Sequence, residues 1–263
     1  MPSAILDQPH IQRVLFYPRR DDGLAPDTPG AHRVAVEVEP GVRIGGRLCP
    51  ASPAAPLILF FHGNGEIAAD YFDIAPAYTQ LGISLLVMDY RGYGTSDGTP
   101  TASYLLSDAV TVFEAVGRIC AENGLSPARL YVMGRSLGSA AAIEVAARAG
   151  ERLAGLIIES GFADTFGLLA HLGAEVTGAD EERDGAGNAV KISRVTTRTL
   201  IIHGQVDVLI PAADGRELYR RSGAGDKRLV IIPGAGHNDL MWVGITQYME
   251  AIRTFVFGAA QGG

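Results

Sequence analysis

From residue 57 onward, short unbroken apolar runs alternate with longer stretches of helical pattern, and this alternation leaves few folds open. The runs are Leu57–Phe61, Ser84–Met88, Leu130–Met133, Leu156–Ile158, Leu200–Ile202 and Leu229–Ile232. A strand with water on one face carries a polar residue at every second position. An unbroken run means that both faces are covered, as in a parallel sheet. Helical pattern falls near 67–81, 103–122, 137–149, 212–221 and 239–256. Strand, helix, strand in repetition predicts an α/β fold with right-handed crossovers.

The first fifty residues differ. A short arm leads into the alternating segment His32–Val38, a turn at Pro40-Gly41, and a return strand Val42–Leu48. The expected architecture is a mostly parallel central sheet with an antiparallel N-terminal hairpin and helices on both faces. Residues 1–263 read as a single domain, with no repeat and no linker. Residues 161–198 are long for a connection between strands. They read as a small, partly helical cap or lid whose tip, Gly178–Asn188, is polar, Gly-rich and mobile.

Composition excludes several function classes. The net charge is −7, and the one basic pair, Arg19-Arg20, is offset by Asp21-Asp22, so nucleic-acid binding has no electrostatic support. Cys49 and Cys120 fit neither a disulfide framework nor a metal site. The N-terminal stretch has no apolar core of signal-peptide length, and no run approaches the roughly 20 apolar residues of a membrane span. A cytoplasmic protein without an integral membrane segment is expected.

Gly-x-Ser-x-Gly occurs twice, around Ser96 and around Ser136. So short a pattern decides nothing in a chain with 33 glycines; context does. A nucleophilic serine needs a sharp strand-to-helix turn that pushes its hydroxyl out at the sheet edge. Ser136 follows the strand Leu130–Met133 and precedes the strong helix former Ser139–Ala147. Ser96 lies in a loop with no helix starting at it.

A serine hydroxyl needs an adjacent base, and histidine suits this near neutral pH. On such an elbow the acid and then the base follow the nucleophile in chain order. Among six histidines, His237 lies in the small-residue loop after the last strand. His203 is a second candidate, His62 shapes the loop after the first parallel strand, and His171 lies in the cap. Asp207, just beyond Leu200–Ile202, is the candidate acid that holds the imidazole tautomer; Glu159 is the alternative. Asp239 is expected to start the last helix.

Acyl transfer also needs donors for the developing oxyanion. The N–H of Leu137, directly after the serine, is one candidate. The N–H of Asn64, in the loop His62-Gly63-Asn64-Gly65-Glu66, is the other. The same loop has another reading: Gly63–Ala68 matches the dinucleotide fingerprint G-x-G-x-x-A, and Asp89 ends the next strand.

Together, FFHGNGE (60–66), DYRGYGTSDGTP (89–100), GRSLGSA (134–140), LIIHGQVDVLIP (200–211), IPGAGHNDL (232–240) and the lead-in Leu15–Arg19 resemble the Bem46-like branch of the α/β-hydrolases, which includes the ABHD17-type protein depalmitoylases. The resemblance spans about residues 15–256 and is weakest over 161–198. It implies the α/β-hydrolase fold, Ser136, Asp207 and His237 as a catalytic triad, and Ser96 as part of a family loop motif. It also implies ester or thioester hydrolysis. The 263 residues show neither the N-terminal transmembrane anchor nor the cysteine cluster of the eukaryotic members, so neither membrane attachment nor a lipidated-protein substrate is expected.

The expected function is therefore a serine hydrolase that cleaves carboxylic esters or thioesters of small-molecule or acyl-group substrates, with no metal or organic cofactor. A noncatalytic binding protein on the same fold and a dinucleotide-binding enzyme stay open as alternatives.

Overall fold

The computed structural model describes residues 5–21 and 30–258. The first four residues of the N-terminal stretch and Asp22 lie outside the described residues.

In chain order, α1 (Pro9–Leu15) precedes the hairpin of β1 (His32–Glu39) and β2 (Val42–Cys49). Then come β3 (Leu57–Phe61), α2 (Ala75–Thr79), β4 (Ser84–Met88), α3 (Ala102–Glu122), β5 (Leu130–Arg135), α4 (Gly138–Ala149) and β6 (Gly155–Glu159). Three short helices follow: α5 (Thr165–His171), α6 (Glu181–Asp184) and α7 (Asn188–Ser193). The chain closes with β7 (Thr199–Gly204), α8 (Ala212–Arg221), β8 (Lys227–Ile232) and α9 (Leu240–Phe257).

All the strands join one sheet, in the order β1-β2-β4-β3-β5-β6-β7-β8. β2 pairs antiparallel with both β1 and β4, and every later pairing is parallel. Each unbroken apolar run has become a strand packed on both faces. In β3, Leu57, Leu59 and Phe61 join the core under α3, α4 and α8, whereas Ile58 and Phe60 join the core under α2 and α9. Burying a side chain of this size stabilises the fold by roughly 1.5–3 kcal/mol, so the five-residue strand anchors both layers.

Strand order places the crevice. β3 has β4 on one side and β5 on the other, so the sheet is built outward in both directions from this point. The loops leaving the carboxyl ends of β3 and β5 diverge there, which is where open α/β sheets bind ligands.

Two segments differ from the sequence expectation. The arm contains α1, with Pro9 at its start and Ile11 and Leu15, one turn apart, buried. The helix expected over 67–81 is instead a 3-10 turn, Ala68–Tyr71, followed by the short α2. Side chains take the first amides: Asp70 Oδ2 accepts from Ile67 N–H (3.0 Å) and Asp89 Oδ1 from Ala68 N–H (2.8 Å).

Residues 161–198 hold α5, α6 and α7. The Glu181 carboxylate binds them together, accepting from Thr165 N–H (2.8 Å), Thr165 Oγ1 (2.8 Å) and Gly187 N–H (3.1 Å). Asn188 Nδ2 donates to Phe162 O at 2.9 Å. Burial pushes the Glu181 carboxyl up to about 7 against these hydrogen bonds. The folded chain thus holds this proton up to about pH 7, whereas an unfolded glutamate loses it near pH ~4.3. Its contribution to stability is complete below the unfolded value and is lost as pH rises through the folded one. Between about pH 5 and about pH 8 the melting temperature of the wild type should fall relative to Glu181→Gln, and parallel curves would contradict this.

Candidate active site

The turn between β5 and α4 is sharp. Ser136 has φ +52°, a left-handed conformation that costs a non-glycine residue on the order of 1–3 kcal/mol. Its N–H donates to Glu159 O (2.9 Å), which fixes the turn on β6. Gly138 begins α4 directly against the Phe61 and His62 carbonyls, where a Cβ would overlap them. No side chain caps α4, so its first amides point toward the turn.

His237 follows β8 and Asp207 follows β7. His237 Nε2 lies 2.9 Å from Ser136 Oγ, and His237 Nδ1 lies 2.7 Å from Asp207 Oδ2. Exposure is 6% for Ser136, 8% for His237 and 6% for Asp207, so water competes little for these bonds. The Asp207 carboxylate is an acceptor, so Nδ1 carries the imidazole proton and Nε2 is left to accept from the serine hydroxyl.

Asp207 is held from the other side as well. Its Oδ1 accepts from Leu209 N–H (3.0 Å) and Ile210 N–H (2.8 Å). His203 Nε2 lies 3.5 Å from Oδ2 and 2.8 Å from Ile210 O. Burial pushes the Asp207 carboxyl up, but hydrogen bonds from His203 and His237 outweigh it and hold the group well below the usual carboxylate range. His203 thus backs Asp207, and its ring nitrogen contacts are with Asp207 and Ile210, not with Ser136.

The remaining candidates separate by position. Glu159 bonds Arg135 Nε (3.1 Å) and Tyr248 OH (2.7 Å) and makes no contact with His237. Ser96 is fully buried, and its Oγ accepts from Gly45 N–H (2.9 Å). His62 contacts Gly63 O (2.8 Å) and Asp89 Oδ1 (3.2 Å) beneath the loop after β3. His171 is exposed on α5. Asp239 does not cap α9 with its side chain; Oδ1 accepts from Gly236 N–H (2.6 Å) and braces the loop that carries His237.

Asn64 stands at the carboxyl end of β3. Its Oδ1 accepts from Tyr17 N–H (2.8 Å) and Tyr93 OH (2.7 Å), which pins the loop to the N-terminal arm. Among the described residues, neither Asn64 N–H nor Leu137 N–H has a protein acceptor. Other amides of the 63–68 loop are taken: Gly63 N–H by Glu66, Ile67 N–H by Asp70 and Ala68 N–H by Asp89. A pyrophosphate would find few donors left there, and no long helix starts behind it. Among the described residues, no group of three His, Cys, Asp or Glu side chains is placed to hold a metal ion.

Sequence reasoning passed over Arg135, Glu66 and the Tyr17–Tyr93 pair. Nothing in the residue pattern marked Arg135, because its partners lie far along the chain.

A sheet of this topology, with such an elbow at its switch point and a hydrogen-bonded Ser–His–Asp set at its carboxyl edge, defines an α/β-hydrolase. A model of the Hydrolase_4 family, described as serine aminopeptidase, S33, matches residues 52–177. The Mycobacterium tuberculosis protein Rv2307c is 31% identical over 255 residues, covering 93% of this chain and 86% of the relative. Human alpha/beta hydrolase domain-containing protein 17B is 30% identical over 225 residues, covering 82% and 72%. The Pyrococcus furiosus esterase Pf2001 shares the fold at 16% identity and a TM-score of 0.71, covering 90% and 97%. This chain belongs to the α/β-hydrolase superfamily, in its ABHD17-like, serine-hydrolase-type branch. Among the described residues, no helix is long and apolar enough to cross a membrane.

Because Asp207 ionises more readily in the folded chain than in the unfolded one, its stabilisation is present above the unfolded value, near pH ~3.9, and is lost as pH falls below it. Asp207→Asn should flatten the acid limb of the stability curve below about pH 4 in urea titrations. An acid limb identical to that of the wild type would contradict the assignment.

Proposed function

We propose that this protein is a serine hydrolase that cleaves carboxylic ester or thioester bonds through an acyl-enzyme on Ser136. The observation that carries this reading is the continuous chain from Ser136 Oγ through the His237 ring to Asp207, at 2.9 and 2.7 Å.

Ser136 Oγ attacks the substrate carbonyl while His237 Nε2 takes the hydroxyl proton. Asp207 stabilises the imidazolium formed. The carbonyl oxygen gains negative charge and is held by the N–H groups of Asn64 and Leu137, neither of which is already spent. His237 returns the proton to the departing alcohol or thiol. Water then gives its proton to His237 and attacks the acyl carbonyl, and the proton passes back to Ser136 Oγ as the acid leaves. No metal or organic cofactor takes part in these steps.

A crevice beside Leu137 is lined only by apolar surface, from Leu6, Leu15 and Phe16 of the arm, Leu105 and Leu106 of α3, and Phe162 and Ala186 of the cap region. Its free volume of about 20 Å³ holds little more than one water, so an acyl group would enter it only with movement of the arm or the cap region. Residues 161–198 act as a cap on the one α/β-hydrolase domain. A reducing, cytoplasmic setting suits the free thiols of Cys49 and Cys120.

The test is a panel of acetyl to palmitoyl esters and thioesters. Turnover of the compounds accepted should fall by roughly 10⁴-fold or more in folded Ser136→Ala. Wild-type protein that binds acyl compounds without turning them over would support a noncatalytic role instead.

A further inference from the structure

The residue before the serine points away from it and reaches the end of β6 and the loops after β3 and β8. Arg135 Nε donates to Glu159 Oε1 at the end of β6 (3.1 Å), and Nη1 donates to Glu66 Oε1 in the loop after β3. Nη2 donates to His237 O (2.8 Å) and Asn238 Oδ1 (3.0 Å) in the loop after β8. The guanidinium is largely buried, with 11% of the side chain exposed. Burial works against its charge, but Glu159 and Glu66 outweigh burial and hold it protonated.

Such a cluster is a poor choice for stability alone. The buried Glu159 carboxylate, the half-buried Glu66 carboxylate and the guanidinium all lose water, and an apolar replacement of similar size often stabilises as well. What it supplies here is geometry. The groups Arg135 touches come from three separate segments, the end of β6 and the loops after β3 and β8, and Arg135 itself belongs to the elbow. Glu66 carries the connection one bond further: its Oε2 accepts Gly63 N–H (2.8 Å), the peptide next to Asn64. Gly63 lies so close that a Cβ would stand 2.6 Å from Arg135 Nη1.

We infer that Arg135 is a positioning residue for the hydrolysis proposed above. Its guanidinium sets the base loop directly through the His237 carbonyl, and the oxyanion loop through Glu66, both relative to Ser136. The inference rests on the hydrolase reading. A planar fork with donors in several directions is required, and a lysine ammonium cannot span the same partners. Arg135, Glu66, Glu159 and Asn238 also border a cavity of about 180 Å³ that opens beside the exposed Trp242. Removing the Arg135 side chain therefore leaves a space that a small cation can enter from solvent.

The experiment compares the wild type with Arg135→Lys, Arg135→Ala and Glu66→Gln. For an ester the wild type turns over, kcat should fall ~10- to 100-fold with KM changed by less than about twofold, because displacements near 1 Å act on the reacting geometry. Methylguanidinium should restore part of the kcat of Arg135→Ala, and tetramethylammonium should not. The low-field NMR signal of the His237 Nδ1 proton, which needs no substrate, should shift or broaden in every variant. Glu66→Gln keeps the test alive if an Arg135 variant fails to fold. Unchanged kcat per folded molecule and an unmoved proton signal in Arg135→Lys and Glu66→Gln would overturn the inference. A wild type without ester turnover would instead count against the hydrolase reading, and the proton signal would still decide whether Arg135 positions His237.

Discussion

The site depends on how closely α4 is pressed against the carboxyl end of β3. Gly138 has no side chain, so the first turn of the helix meets the backbone carbonyls of Phe61 and His62. That contact brings the Leu137 amide and the loop carrying Asn64 to the same edge of the sheet. The turn this demands is strained at Ser136. It persists because both flanking strands are buried on both faces, and because Ser136 N–H is bonded to Glu159 O. The apolar layers thus hold a backbone conformation that the chain would not adopt alone, and that conformation turns Ser136 Oγ toward His237.

The loops that carry Asp207 and His237 are laced to each other before either reaches Ser136. Gln205 N–H donates to Ile232 O (3.0 Å) and Val206 N–H to Ala235 O (2.9 Å), which join the ends of β7 and β8. Asp239 then holds Gly236 N–H, and Leu209 and Ile210 hold Asp207. Few of these groups retain freedom to move, so the imidazole is offered to Ser136 in one orientation. Preorganisation of this kind lets the dipoles of a site act on developing charge without reorganising during the reaction.

The sheet was legible because its signal is physical and local: an unbroken apolar run needs cover on both faces, and each such run is a strand. The segment 67–81 was misjudged because Pro76 cannot sit inside a continuous α-helix: it has no N–H and stands in the first turn of the short α2, so the segment divides there. At the site, the strand–turn–helix context separated Ser136 from Ser96, and loop position after a strand pointed to His237 and Asp207. Arg135 was not legible. Its partners Glu66, Glu159 and His237 are 69, 24 and 102 residues away, and only the assembled sheet brings them together. Glu159 looked like a possible acid for the same reason, since a carboxylate at a strand end carries no mark of which neighbour it will meet.

The most direct measurement is labelling of the folded protein with a fluorophosphonate, followed by peptide mapping. The reagent reacts with a serine made nucleophilic by a neighbouring base and needs no knowledge of the substrate. A single adduct is expected on Ser136, and it should disappear in His237→Ala. An adduct on Ser96, or no adduct on folded protein whose cap has been shown to admit the reagent, would contradict that expectation.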